Sequence, residues 1–393
     1  MKQRFLHWPA RLIAAAGLLG LVAGCQSMGE TFADYYDAIF SSSKEKPAKL
    51  VSFTPTASVS VLWKERVGDA RPYVFSPALD DGALYAADAK GRVTAFGENG
   101  RELWRNDTYR PLSGGVGARN DHVLVGTRKG QVIALDGRGE VRWITQLSSE
   151  VLAPPQYADG LVVARSGDGR IYGLNATDGT RKWVYQRGTP ALTVRSFAGA
   201  LVTRGAVFAG YPGGKVVALN LQTGALGWEG TVAQPRGATE LERVADVTSL
   251  PVLDGTQVCA AAYQGRIACF DASRGTPLWA RDVSSVSGLA IAGSSVYVTD
   301  DRGAVIALDK NSGSSLWKQD KLTDRRVSGP LVYRDYVVVG DLEGYLHVIN
   351  RDDGSFAARI ATDGSAIAAT PIALDNAVLV QTRKGGLFAI DVQ

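Results

Sequence analysis

Eight glycines spaced 38 to 51 residues apart (Gly91, Gly130, Gly169, Gly214, Gly265, Gly303, Gly344 and Gly385) constrain this chain more than any other feature. Each opens a near-copy of one unit, G-x-[VI]-x-A-[LF]-D followed by G-x-x-x-W. The tryptophan falls 13 or 14 residues later at Trp104, Trp143, Trp183, Trp228, Trp279 and Trp317. Self-similarity at this period is the mark of a solenoid, a propeller or an array. Within a copy the apolar residues alternate at period two, as in VFSPALDD, ALYAAD, RVTAFG and ELWRN of the first, and nothing of similar strength has helical period. The first glycine falls in a tight hairpin (AKGR, RKGQ, GDGR), where a positive φ is expected. Four short antiparallel strands joined by such turns make a propeller blade.

The tryptophans Trp63, Trp104, Trp143, Trp183, Trp228, Trp279 and Trp317 are expected to fill the wedge between neighbouring blades. Each would bury on the order of 200 Å² and contribute at most several kcal/mol at ~25 cal/mol per Å². The two chain ends complement each other. Gly385 opens a copy that stops at Gln393 before any tryptophan, while Trp63 has no repeat glycine ahead of it. The fold expected is therefore all-β: an eight-bladed β-propeller with four-stranded antiparallel blades, closed by an N-terminal strand that completes the last blade. The Gly344 copy is degenerate, with Ala358 in place of tryptophan.

The domain reading is a signal peptide over 1–24, a lipidated N-terminus and tether over 25–58, and the propeller over 59–393. Lys2, Arg4 and Arg11 precede an apolar run, Leu12 to Ala23, too short to span a membrane as a helix. The run ends in Val22-Ala23-Gly24-Cys25, which resembles the bacterial lipobox, so Cys25 is the expected acylation site and the anchor to a membrane. Gln26 at the next position resembles, by lipoprotein sorting rules, an outer-membrane address. In the tether, TFADYYDAIF has helical spacing, and SSSKEKPAK reads as flexible.

Removing Lys2, Arg4 and Arg11 from 43 basic residues against 39 acidic ones leaves a net charge of +1. With no basic tract among aromatics, nucleic acid is not an expected partner. His122 and His347 stand isolated in strand contexts, and no hydrolase, phosphate-loop or zinc motif is present. Asp309-Lys310-Asn311-Ser312-Gly313 imitates the start of a calcium loop but is the turn every blade has. No metal, cofactor or catalysis is expected. Cys259 and Cys269 fall on paired strands, and whether they bridge depends on a register the sequence leaves open. The blade repeat resembles the tryptophan-docking motif of quinoprotein (pyrroloquinoline quinone) dehydrogenases. That makes a ligand-binding or quinoprotein-type propeller the competing expectation. Against it, the chain has no Cys-Cys pair and no long acidic loop.

The repeat is stretched in two places. From tryptophan to the next repeat glycine the usual distance is 24 to 28 residues, but Trp183 to Gly214 is 31 and Trp228 to Gly265 is 37. The extra residues lie in GTPALTVRSF and AQPRGATELERVADVTS, both running from an outer strand to the next inner strand. Such connections emerge on one face of the disc, and these two are neighbours. Leu192, Val194 and Arg195 should therefore lie near Glu240, Leu241, Arg243 and Asp246, a mixture suited to anchoring a partner.

Lipobox, tether, FTPT before the closing strand, eight such blades, ALTVR and ATELERVADV together resemble the BamB family, the lipoprotein propellers of the outer-membrane β-barrel assembly machinery. The resemblance implies docking of the two loops on the periplasmic POTRA domains of BamA, through Leu192, Val194, Arg195 and Asp246, with Thr248 where the family often has a second acid. It also implies the other BAM lipoproteins and unfolded outer-membrane proteins as partners, and a non-enzymatic, lipid-anchored life on the periplasmic face of the outer membrane.

Overall fold

The structure, a computed structural model, describes residues 46–190, 192–203 and 205–393, of which Pro47–Gln393 form one compact unit. The candidate signal peptide, Cys25 and the TFADYYDAIF segment lie outside the described residues. Eight four-stranded antiparallel sheets follow one another along the chain. Blade one spans Ala78–Asp107, two Leu112–Gln146, three Gln156–Tyr185, four Ala200–Thr231, five Val252–Arg281, six Gly288–Gln319 and seven Leu331–Ala361. Blade eight takes three strands from Ile372–Val392 and its outer strand from Val59–Arg66, paired from Val59↔Val392 to Arg66↔Gly386. Ser58 and Gln393 exchange backbone hydrogen bonds at the seam, so the third strand of blade eight is paired to its end.

The middle strands are buried almost throughout, as AVFAGY and KVVALN in blade four show, because both faces of each blade pack on neighbours. The outer strands alternate, with the tryptophan facing in. Every tryptophan among the described residues sits opposite a small residue of its own blade: Ala95–Trp104, Ala134–Trp143, Gly173–Trp183, Ala218–Trp228, Cys269–Trp279, Ala307–Trp317 and Ala389–Trp63. Its indole N–H donates to a backbone carbonyl of the next blade, such as Glu98 for Trp63, Ala176 for Trp143 and Leu221 for Trp183. The ring lies over that blade's second-turn glycine, as Trp143 does over Gly179 (φ +71°), where a Cβ would enter the indole. One tryptophan thus packs, and donates, across each junction it seals.

Two sequence expectations meet a refinement here. Seven of the eight repeat glycines have positive φ, but in blade five Gln264 takes that conformation and Gly265 does not. Cys259 and Cys269 face each other directly across the middle strands of blade five and form a disulfide, buried in the junction with blade six.

The end of the tether is ordered against blade seven. The sequence reads Pro47, Ala48 and Lys49 as flexible, whereas Ala48 N–H donates to Thr323 O at 3.0 Å and Phe53 stacks on Phe356 with centroids 5.4 Å apart. Val51 and Phe53 join the apolar cluster of Trp317, Val337 and Phe356.

Candidate functional site

The two long connections occupy residues 186–199 and 232–251, on the face that also carries the repeat-glycine hairpins. They touch. Asp246, 3% exposed, accepts from Val194 N–H on Oδ2 at 2.7 Å and from Gly213 N–H on Oδ1 at 3.0 Å, while its own carbonyl accepts from Tyr263 N–H at 2.8 Å. One residue thereby ties the first connection to the hairpins of blades four and five. Two residues on, Ser196 Oγ donates to Thr248 O at 3.1 Å. A buried carboxylate bonded only by backbone N–H groups fixes the loops' mutual register and, being buried, presents little to a partner.

Arg195 lies across the other edge. Its guanidinium is a two-point donor to Glu150, Nε to Oε1 at 3.0 Å and Nη2 to Oε2 at 2.6 Å, with both side chains part-buried. Glu150 belongs to the connection between blades two and three, so the bridge spans two junctions. At the tip of the second loop, Glu242 Oε2 accepts from Ala238 and Thr239 N–H, and Thr239 Oγ1 accepts from Glu242 N–H. Those backbone donors, Thr239 first, hold the Glu242 carboxyl below its usual range. Arg243 donates to Gly237 O at 3.0 Å and stands 3.6 Å from Glu240, both exposed. The large apolar residues of the two connections left facing outward are Leu192, 46% exposed, Leu241, 69% exposed, and Leu250, 44% exposed next to the inner strand of blade five.

Beneath the first loop, Tyr211 is fully buried between two cations, with the Arg165 guanidinium 5.0 Å and the Arg187 guanidinium 5.4 Å from its ring centre. Burial pushes the Tyr211 phenol far above its ordinary range, so the ring is neutral packing. Arg187 in turn pairs with Glu229 at 3.2 Å.

The structure therefore brings Val194, Arg195 and Asp246 into one bonded unit, and sets Leu192, Glu240 and Arg243 at its exposed edge. Sequence reasoning missed Glu150 and Gly213. Glu150 lies in a connection of ordinary length, and Gly213 offers only a backbone N–H. Asp309 Oδ1 accepts from Asn311 N–H, Ser312 N–H and Ser312 Oγ, so the calcium-like sequence is a self-satisfied turn. Among the described residues no cluster of His, Cys, Asp and Glu could hold a metal.

A family model described as "Outer membrane protein assembly factor BamB" matches residues 89–319 and 315–393. The protein of that description from Nitrosomonas eutropha is 46% identical over 97% of this chain and 95% of its own length. That from Bordetella pertussis is 41% identical over 96% of each. The crystal structure of BamB from Moraxella catarrhalis superposes with a TM-score of 0.79 at 27% identity, covering 85% of this chain and 100% of that one. A quinohemoprotein alcohol dehydrogenase from Comamonas testosteroni shares the fold alone, at 14% identity, a TM-score of 0.69, and 85% and 76% coverage. By two matched segments and by identity sustained along nearly the whole chain, the protein belongs to the family of the outer membrane protein assembly factor BamB, and not to the dehydrogenases whose fold it shares.

Proposed function

We propose that this protein is a non-enzymatic scaffold of outer-membrane protein assembly, held on the periplasmic face of the outer membrane by a lipid on Cys25. The two inserted connections dock on the POTRA domains of BamA, and the other BAM lipoproteins and unfolded outer-membrane proteins are its further partners. The observation that carries the reading is the joining of the loops through Asp246, which holds Leu192 and Leu241 outward beside Arg195, Glu240 and Arg243. A preorganised apolar pair with charges at its edge binds without an ordering cost, which is what an assembly scaffold needs.

Within that site the residues divide the work. Leu192 and Leu241 supply buried contact on docking, Arg243 and Glu240 orient the partner at the rim, and Val194, Arg195 and Asp246 set the geometry. The test is binding of the full-length protein, in detergent, to purified BamA POTRA domains. Leu192→Asp with Leu241→Asp is expected to weaken binding by about thirtyfold or more, equivalent to roughly 2 kcal/mol. Asp246→Asn, which leaves one oxygen acceptor for two N–H donors, should weaken it less. Unchanged binding in the double variant would remove the loops from the interface.

A further inference from the structure

Blade seven is the one blade whose outer strand has no tryptophan, and its outer strand is also the most covered. Phe356, Ala357 and Ala358 in Phe356–Ala361 are buried, whereas the outer strands of blades three and six are exposed on either side of the tryptophan. What covers it is residues 48–57. Thr56 and Ala57 N–H donate to Ala357 O at 2.9 and 3.2 Å, and Phe53 stacks on Phe356. Two arginines hold the segment by its carbonyls. Arg325 Nη1 donates to Ala48 O at 2.8 Å, and Arg359 Nη1 donates to Val51 O at 3.1 Å. The Arg359 guanidinium also lies over the Phe53 and Phe356 rings, at 5.0 and 5.2 Å.

Both arginines are set by one buried cluster. Asp341, fully buried, accepts from Arg325 Nε at 2.8 Å and His347 Nε2 at 2.9 Å on Oδ2, and from Glu343 and Tyr345 N–H on Oδ1. Arg325 also donates to Glu343 at 2.5 Å. His347, fully buried, receives Arg359 Nε on its Nδ1 at 3.1 Å. Asp341 can only accept and Arg359 can only donate, so the imidazole is neutral with its proton on Nε2. The charged and titratable groups around it are Arg325 from the connection before the blade, Asp341 and Glu343 from the hairpin, Tyr345 beside it, and Arg359 from the outer strand.

We propose that blade seven carries a binding groove for an extended peptide segment, filled in cis by residues 48–57, and that protonation of His347 opens it. The second proton must go to Nδ1. There it turns an acceptor into a donor aimed at the Nε–H of Arg359 and sets two cations in contact. Beyond His347, Arg359 is held by Val51 O and the two rings alone, and its Nη2 is buried without a hydrogen-bond partner. When it swings away, its bond to Val51 O and its cover over Phe53 go with it. Burial, followed by the nearby Arg359 and Arg325 charges, holds the His347 pKa below its ordinary value against the opposing pull of Asp341. Opening therefore comes on acidification below the ordinary histidine range, while Asp341, whose own pKa is lowered by the bonds it accepts despite its burial, stays ionised.

The test is amide hydrogen exchange on the full chain between pH 7.5 and 4.5, corrected for intrinsic exchange rates and read at Ala48, Thr56 and Ala57. The wild type is expected to lose at least tenfold protection at these amides on acidification, with the middle strands of blade three unchanged. His347→Gln, whose amide can donate to Asp341 and accept from Arg359, should keep them protected at both ends of the range. Arg359→Met should leave the Ala48 amide poorly protected at every pH. The proposal fails if wild-type protection does not change with pH, or if His347→Gln opens as the wild type does. It fails equally if blade three loses protection in parallel, which would mark global unfolding.

Discussion

The junction between blades three and four and the junction between blades seven and eight solve one packing problem in two ways. At the first, Trp183 lies over Gly224 and donates to Leu221 O, so one side chain and one bare turn seal the wedge. At the second, blade eight has no such turn, because its third strand runs to the C-terminus and its outer strand arrives from the N-terminus. An indole on blade seven would have neither a glycine to lie on nor that carbonyl to donate to. Ala358 stands in its place, opposite Val348 where the other blades have alanine, glycine or cysteine. The incoming chain covers the gap, with Ala57 and Val59 in its apolar cluster and the bonds of Thr56 and Ala57 to Ala357. The missing tryptophan is thus a consequence of how the ring closes.

The comparison breaks most visibly at the tryptophan. Trp183→Ala removes a buried ring and leaves a cavity beside Gly224 that a rigid sheet cannot collapse into, which should cost about 3–5 kcal/mol. Denaturant unfolding followed by circular dichroism measures it. A loss below about 1 kcal/mol would mean that the junction is held by its backbone and not by its indole.

At the junction between blades five and six the same device rests on a disulfide within blade five. Trp279 sits opposite Cys269, which is bonded to Cys259. Replacing both cysteines by alanine should lower stability by roughly 2–4 kcal/mol. The same variant should abolish the sensitivity of wild-type unfolding to reductant, which separates the bond's effect from that of the lost sulfur packing.

The inverse experiment is to give blade seven the residue it lacks. Ala358 is 1% exposed in a filled site, so Ala358→Trp forces either the outer strand or residues 56–57 to move. It should destabilise by about 1–3 kcal/mol instead of completing the pattern. A stabilised variant would show that the repeat, and not the closure, governs this junction.

How far the sequence reaches follows from the same contrast. Glycine and tryptophan recur because each blade needs both, so blade number, strand order and the closing strand are legible from spacing. Residues 48–57 carry no repeat signature, and their partners Arg325 and Arg359 lie 277 and 308 residues away from Ala48 and Val51. His347 reads as isolated for the same reason, since Asp341 is close by but Arg325 and Arg359 become its neighbours only when the strands pair. At the two long connections, excess length betrayed the adjacency that the Val194–Asp246 bond now shows. It could not show that Asp246 is buried, because an acid in a polar loop looks like any surface acid. The pairing of Cys259 with Cys269 turned on a one-residue register, which alternation cannot set.

The smallest effect distinguishes the two junctions by pH. A tryptophan over a glycine has nothing to titrate, whereas the blade seven closure contains His347. Its pKa is lower in the folded protein than in the unfolded chain, so below about pH 6.5 the unfolded chain binds the extra proton first and stability falls on acidification. The fall continues until the pH passes the folded-state value and then levels, with a slope of at most about 1.4 kcal/mol per pH unit. The depressed Asp341 acts in the same direction but in a separate window, below about pH 4, where the unfolded carboxylate begins to take up its proton. Stability measured against pH should therefore begin to decline at about pH 6.5 in the wild type, with Asp341 adding to the fall from about pH 4, and His347→Gln should remove the upper step alone. Trp183→Ala, though far less stable, should keep the same onset, because Trp183 lies in blade three and the titrating closure in blade seven. If the upper step survived in His347→Gln, some other group would be responsible, and the two kinds of junction would no longer differ in the way their chemistry requires.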